Sequence, residues 1–317
     1  MKVISLPTTL PLPPVAASIG FFDGVHAGHR FLIAQLTEEA SARGIASAVI
    51  TFRNHPRKLL DPGFSPQLLS SYDEKIALLE QTGVDYCFVI DFTPEIQQLT
   101  AREFIHNILK KQFNTAVLII GYDHRFGKNR SEGFEEYCIY GKECGVEVFL
   151  EQNFCPEGKH ISSSAVRRAL SRGDVKEAAI LLGRPYNLRG VVESGCRIGR
   201  TIGFPTANIR PADPDKQIPA SGVYAVRVLT EGNEFGGMLN IGVRPTVHDE
   251  GELSIEVNLF DFDGDLYGKE VNILFEAFIR DEKKMESLGQ LIAQLEVDRT
   301  TALYLLAKGI DKTSDPR

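Results

Sequence analysis

The sequence predicts an α/β domain joined to an all-β domain, on three observations. Through the first half, short apolar runs rich in β-branched residues alternate with stretches of helical spacing, the texture of a parallel sheet covered on both faces. Beyond about residue 185 the spacing shortens to alternating strands punctuated by Gly, Pro and Asp turns, as in an antiparallel barrel. The chain then closes on one amphipathic helix, expected over 284–308. At 317 residues it can bury two cores, and the expected domains are 1–184 and 185–317.

The opening MKVISLPTTLPLPPVAASIGFF has the outline of a signal peptide, but Pro7, Pro11, Pro13 and Pro14 break the apolar centre that such a segment needs. It reads instead as two strands joined by a proline-rich loop, the second being VAASIG (15–20). Strands follow at ASAVITF (46–52), DYCFVI (85–90), TAVLIIG (115–121) and VEVFL (146–150), with helices expected over 29–43, 73–81 and 101–113. Residues 161–186 read as two short helices stopped by Gly183 and Pro185. GVYAVRVL (222–229) and LSIEVNLF (253–260) alternate with period two. In the last helix Leu288, Leu291, Ile292 and Leu295 share a face, and KTSDPR reads as a frayed tail.

Composition narrows the function classes. Hydrophobic residues at 43% and charged residues at 24% are ordinary for a soluble globular protein. The formal charge is −7: residues 1–184 hold 20 Lys+Arg against 21 Asp+Glu, and residues 185–317 hold 15 against 21. Neither half has the positive excess of a nucleic-acid binder. Cysteines 87, 138, 144, 155 and 196 form no CxxC pair, so neither disulfides nor zinc are expected and a cytoplasmic setting is. No run of 18 apolar residues exists to span a membrane.

The first candidate site is GFFDGVHAGH (20–29). Gly20 ends a strand, Asp23-Gly24 turns the chain, and a helix begins near Gly28-His29. At the carboxyl end of a parallel strand, a helix N-terminus offers free N–H groups and the positive end of its dipole, so a phosphate is the expected guest. His26 and His29 are placed to reach that anion. Two histidines three apart also suit zinc or a simple cap, but no third ligand follows at a recognisable spacing. TFRNHP (51–56), bearing His55, and GYDHRFG (121–127), bearing Asp123 and Phe126, follow two further strands and open on the same sheet edge. ISSSAVR (161–167) adds Ser162 or Ser163 as a helix cap and Arg167 a turn later for a polyphosphate.

This series closely resembles the HxGH nucleotidyltransferases, specifically the FMN adenylyltransferase module of bacterial FAD synthetases, and so implies a Rossmann-like domain. By that resemblance His26, His29 and Arg167 would act on the reacting phosphates. Gly20, Asp23, Gly24, Gly28, Ser162 and Ser163 would form the ATP site, and His55, Asp123 and Phe126 would line the flavin side. The implied chemistry is in-line attack of the FMN phosphate on the α-phosphorus of ATP with release of pyrophosphate.

The second candidate site is GVVESGCRIGRTIGFPTANI (190–209). Gly195, Gly199 and Gly203 allow the backbone close to a bulky anion, as a phosphate-covering loop or a plain glycine-rich hairpin would need. In PTAN, extended backbone aims Thr206 and Asn208 the same way, giving two hard oxygen ligands suited to Mg²⁺ on a nucleotide. Glu256 alternates with the apolar Ile255 and Val257, which alone is the pattern of a solvated strand face. Beside PTAN it becomes a candidate base for a hydroxyl attacking a γ-phosphate.

These stretches, with SGVYAV, NIGVRPTV, EVNLFDFDGDLYG and FIRDEKKMESL, resemble riboflavin kinase over 185–308. The resemblance implies a six-stranded barrel, Thr206 and Asn208 binding Mg²⁺ with ATP, Glu256 as base for the ribityl hydroxyl, and Arg280 on the flavin side. In this order the two halves resemble the bifunctional riboflavin kinase/FMN adenylyltransferase family. Riboflavin, FMN and ATP are then the expected partners, FMN and FAD being substrate and product rather than prosthetic groups. Two rivals are weaker. A class I aminoacyl-tRNA synthetase would need a KMSKS-type lysine loop and a basic surface, and a binding protein with decayed sites would not retain all of His26, His29, Arg167, Thr206, Asn208 and Glu256.

Overall fold

The computed structural model describes residues 1–6, 11–55, 57–58, 61, 63–121, 124–151, 161–194, 199, 202–244 and 252–308. They form two compact units, Met1–Ser163 and Ser164–Arg317. The division falls before the change of texture near 185, because the second of the short helices there packs on barrel strands.

In the first unit, strands β1 (Lys2–Ser5), β2 (Val15–Ile19), β3 (Ala46–Phe52), β4 (Tyr86–Ile90), β5 (Thr115–Ile120) and β6 (Glu147–Leu150) make one parallel sheet in the order β1-β4-β3-β2-β5-β6. Alternate residues feed opposite faces, as a period of two requires. Ala16, Val49, Val117 and Ile119 meet Leu32, Ile33 and Leu36 of α1 (Ala27–Arg43) and Leu78 and Leu79 of α2 (Tyr72–Glu80). On the other face Val15, Ala17, Ile50, Phe88 and Leu118 meet Phe104, Ile105, Leu109 and Tyr137. Ser71 and Glu74 form a capping box that starts α2.

Two helices that the sequence spacing did not predict lie on this second face, α3 (Pro94–Gln98) and α5 (Phe134–Cys144). Between them α4 (Ala101–Glu103) runs on as a π-helical stretch, Phe104–Lys110. The strand order reverses at β2, which pairs β3 on one side and β5 on the other. A crevice therefore opens past the carboxyl ends of β2 and β5.

Helices α6 (Ser163–Leu170) and α7 (Val175–Leu182) follow, the latter capped by Asp174 and packed on the barrel strands β7 (Tyr186–Glu193) and β12 (Glu270–Arg280). With β8 (Ala207–Pro211), β9 (Gly222–Thr230), β10 (Asn233–Arg244) and β11 (Glu252–Leu259), these close an antiparallel barrel in the order β10-β11-β8-β7-β12-β9. Helix α8 (Leu288–Lys308) covers it through Ile292, Leu295, Leu305 and Leu306, which pack on Phe204, Met238 and Phe260. Leu288, expected on the same face, is 57% exposed, because the side chains that join this cluster begin a turn later at Ile292.

Candidate functional site

In the first unit the turn after β2 is tightly strained. Phe22 (φ 54), Gly24 (φ 76) and Val25 (φ 41) all lie in the left-handed region, which is uncommon for Phe and exceptional for a β-branched Val. Two anchors hold it. The Asp23 carboxylate accepts the N–H groups of Leu69 (2.9 Å) and Ser70 (3.1 Å), and the Gly24 N–H donates to Ser70 Oγ (2.9 Å). Ser163 Oγ donates to the Asp23 carbonyl (3.0 Å). Asp23 thus orders the turn, and Gly20 joins it to the sheet through its N–H to the Ile50 carbonyl (3.0 Å).

The two imidazoles meet directly. His26 caps α1 by accepting the His29 N–H on Nδ1 (3.2 Å), and the rings stack with centroids 3.6 Å apart. A Cβ at Gly28 would come within 3.3 Å of the His26 ring, so glycine leaves room for that stack. The edge of Phe22 sits on His29 at 5.1 Å. His29 Nδ1 is buried and has no hydrogen-bond partner among the described residues. Burial first, then the charges of His26, His124 and Lys75, hold the His29 imidazole well below its ordinary range. A neutral imidazole with an unsatisfied ring nitrogen at a helix N-terminus is suited to hydrogen-bonding an anion.

The remaining expected residues divide. His55 lies near the turn, its ring meeting the edge of Phe21 at 4.8 Å. Phe126 is placed in the core instead, stacked on Tyr137 at 4.2 Å, with its backbone N–H on the Tyr137 hydroxyl. Arg167 lies on α6, within the second unit. Ser162 precedes α6, and Asp123 lies outside the described residues.

One residue that sequence reasoning missed stands behind the turn. Lys75, on α2, is 2% exposed, and its ammonium donates to Phe21 O (3.2 Å), Thr51 Oγ1 (3.2 Å) and Phe52 O (2.8 Å). It also lies over the Phe21 ring at 4.1 Å. Burial pulls its pKa down to about 8, against the opposing pull of Asp23 and Cys87.

In the second unit strand register assembles the other group. Asn208 of β8 pairs with Glu256 of β11, which pairs in turn with Asn240 of β10. Directly opposed residues project to one face, so Asn208 and Glu256 share it, and Thr206, two residues earlier, reaches the same carboxylate. Thr206 Oγ1 donates to Glu256 Oε2 (3.3 Å), and Ser254 Oγ donates to Oε1 (3.0 Å). Asn258 Nδ2 donates to the Pro205 carbonyl (2.7 Å), fixing the PTAN segment to β11. A cavity of about 380 Å³ adjoins Thr206, bounded by Val192, Val257, Leu259, Asp263 and Tyr267 among others.

Gly199 is needed for contact: a Cβ there would overlap the Phe204 carbonyl just before Pro205. Gly203 adopts φ 82, and Gly195 lies outside the described residues. Arg280 makes a bidentate pair with the buried Asp298 of α8, at 2.7–3.1 Å, and donates to the Asp281 carbonyl (2.9 Å). Its fork therefore ties helix to barrel.

Thr206, Asn208 and Glu256 suit a hard cation that brings phosphate and water ligands of its own. No cluster of three His, Cys, Asp or Glu side chains among the described residues could hold a metal unaided.

A helix N-terminus at a sheet's switch point in one unit, and hard oxygens beside a carboxylate in the other, define a two-centre nucleotide-handling protein. Comparison with known proteins agrees. Residues 11–165 match the family described as FAD synthetase, and residues 182–306 the family described as riboflavin kinase. The bifunctional riboflavin kinase/FMN adenylyltransferase of Escherichia coli K12 is 40% identical over 90% of both chains. Those of Listeria monocytogenes and Bacillus subtilis are 37% identical (92% of both chains) and 35% identical (90% of both). The chain belongs to the bifunctional riboflavin kinase/FMN adenylyltransferase family.

A solved structure described as a macrolide-efflux protein from Streptococcus pneumoniae superposes with a TM-score of 0.87 at 32% identity, covering 96% of this chain and 99% of that one. Among the described residues of this chain no helix is long and apolar enough to cross a membrane.

Proposed function

We propose that this protein makes FAD from riboflavin in two ATP-dependent steps, one in each unit. The barrel phosphorylates riboflavin to FMN, and the parallel-sheet unit adenylylates FMN to FAD. The adenylyltransferase part takes in residues 1–184 by sequence and the kinase part 185–317, so Arg167 is assigned to adenylyl transfer.

In the kinase step the ribityl hydroxyl oxygen attacks the γ-phosphorus of ATP, its proton passes to the Glu256 carboxylate, and ADP leaves. Glu256 already accepts hydrogen bonds from Thr206 and Ser254, which keeps its oxygens aimed along one barrel face. Thr206 and Asn208 would hold Mg²⁺ with the nucleotide, and such an ion neutralises phosphate charge when bound. The adjoining cavity, with Val192, Val257 and Leu259 on its walls and Asp263 and Tyr267 beside them, would take the nucleoside.

In the second step an FMN phosphate oxygen attacks the α-phosphorus of ATP in line and pyrophosphate departs. His26, His29 and the first N–H groups of α1 orient and neutralise the phosphates. By the family resemblance Ser162, Ser163 and Arg167 would act on the triphosphate, and His55 and Asp123 on the flavin. The cytoplasm is the proposed location, in keeping with free thiols at Cys87, Cys138 and Cys144.

The observation that carries this reading is the register that places Glu256 opposite Asn208 and within reach of Thr206. Riboflavin, ATP and Mg²⁺ incubated with the protein should give FMN and then FAD, resolved by chromatography. His29→Ala should accumulate FMN without FAD. Glu256→Gln should form no FMN yet convert supplied FMN to FAD. Normal FAD output from the first variant, or undiminished kinase turnover in the second, would remove the assigned role.

A further inference from the structure

The turn that presents His26 and His29 is held out of relaxed geometry, and something must supply the restraint. Asp23 anchors its centre, but the chain enters it at Phe21, the residue before the left-handed Phe22. The peptide carbonyl of Phe21 is held by two donors, Lys75 Nζ (3.2 Å) and Thr51 Oγ1 (3.1 Å). The same ammonium also takes the Phe52 carbonyl at the end of β3 (2.8 Å). One cation therefore pins the ends of two neighbouring strands where both turn into the crevice.

Burying an ammonium is costly unless several acceptors meet it, and here two carbonyls, a hydroxyl and the face of Phe21 do. The contacts lead onward to the imidazoles. The Phe21 and His55 rings meet in a T-shaped contact with centroids 4.8 Å apart, and those of Phe22 and His29 do so at 5.1 Å. With 2% of its surface exposed, Lys75 acts through these neighbours.

We infer that Lys75 is a positioning residue for adenylyl transfer: its buried ammonium locks the junction of β2 and β3 and thereby sets where the His26, His29 and His55 rings stand. The inference rests on the adenylyl-transfer reading of this site. A displaced imidazole loses its alignment with the reacting phosphates while the substrates still bind, so the defect belongs in kcat.

The test measures FAD formation from supplied FMN and Mg-ATP in the full chain, with riboflavin phosphorylation followed in the same preparation. If the wild-type protein makes no FAD, the functional reading itself falls, and the variants are not needed to show it. Given an active wild type, Lys75→Met should lower kcat at least tenfold with KM for FMN and ATP within threefold. Its kinase rate should stay within twofold of wild type, and Lys75→Arg, which keeps the charge, should recover part of the loss. A Lys75→Met kcat within twofold of wild type overturns the inference, as does a defect confined to KM. Should limited proteolysis show that Lys75→Met unfolds residues 1–163, Thr51→Val decides. It deletes the hydroxyl between Lys75 and Phe21 while leaving the charge, and a threefold or greater fall in kcat is expected; an unchanged kcat overturns the inference.

Discussion

At the scale of single residues, His29 is the most informative group. Burial first, then repulsion from His26, His124 and Lys75, favours its neutral form, so its native pKa lies below the unfolded value. Between those two values the unfolded chain binds the extra proton, and stability is therefore lost as pH falls below about 6.5. In ligand-free protein the ¹⁵N shifts of His29 should report a neutral ring at pH 6.5, where an unperturbed histidine is half protonated. Added ATP should raise that pKa, because a triphosphate favours the imidazolium. A His29 half protonated at pH 6.5 without ligand would contradict this placement. Residues such as His26, Asp23 and Thr206 were legible because their chemistry is local to a turn or a strand. Lys75 was not: in YDEKIALLE it has the spacing of a solvated lysine, and its acceptors come from two other elements. Arg280 and Phe126 carry contacts that their motifs did not suggest. Arg280 forks onto Asp298 and Phe126 stacks on Tyr137, pairings made by residues distant in sequence that no local motif encodes.

At the scale of elements, periodicity was a reliable guide wherever one face is buried. Strands β2 to β6 and helices α1, α2, α6 and α7 fall within a few residues of the sequence reading, since each is defined by a repeat of two or 3.6. Helix α5 escaped because its core-facing stripe, Phe134, Tyr137, Tyr140 and Cys144, is built of aromatic and small residues of weak helical preference and buries only Tyr137 and Gly141 fully. The loop before β8 gives the sharpest element-level test. Gly199 abuts the Phe204 carbonyl, and Phe204 in turn anchors in the core beside PTAN. Gly199→Ala should push this loop outward and lower riboflavin phosphorylation at least tenfold, at a cost of about 1–3 kcal/mol in stability. FAD formation from supplied FMN should be unaffected, which separates a loop defect from general misfolding.

At the scale of the whole molecule, the two chemical centres draw their protein groups from different kinds of architecture. The parallel-sheet unit supplies the N-terminus of α1 and strained backbone at a switch point; the barrel supplies rigid register. Helix α8 belongs to the second by its packing and by the Arg280–Asp298 pair and the Arg227 bond to the Leu306 carbonyl. A chain ending at Ser287 would leave Phe204, Met238 and Phe260 without their cover and Arg280 without its partner. Such a truncation should abolish riboflavin phosphorylation while still adenylylating supplied FMN, and loss of both activities would argue against separate centres. Closure of the barrel has another consequence. Its strands all have two neighbours, whereas β1 and β6 are the two ends of the parallel sheet among the described residues, with Val3, Phe149 and Leu150 exposed along them. Cross-β templating between molecules during heating or storage is therefore expected to begin on these flanks rather than on the barrel strands, and a lysine or proline placed on the outer flank of β6 should prolong shelf life.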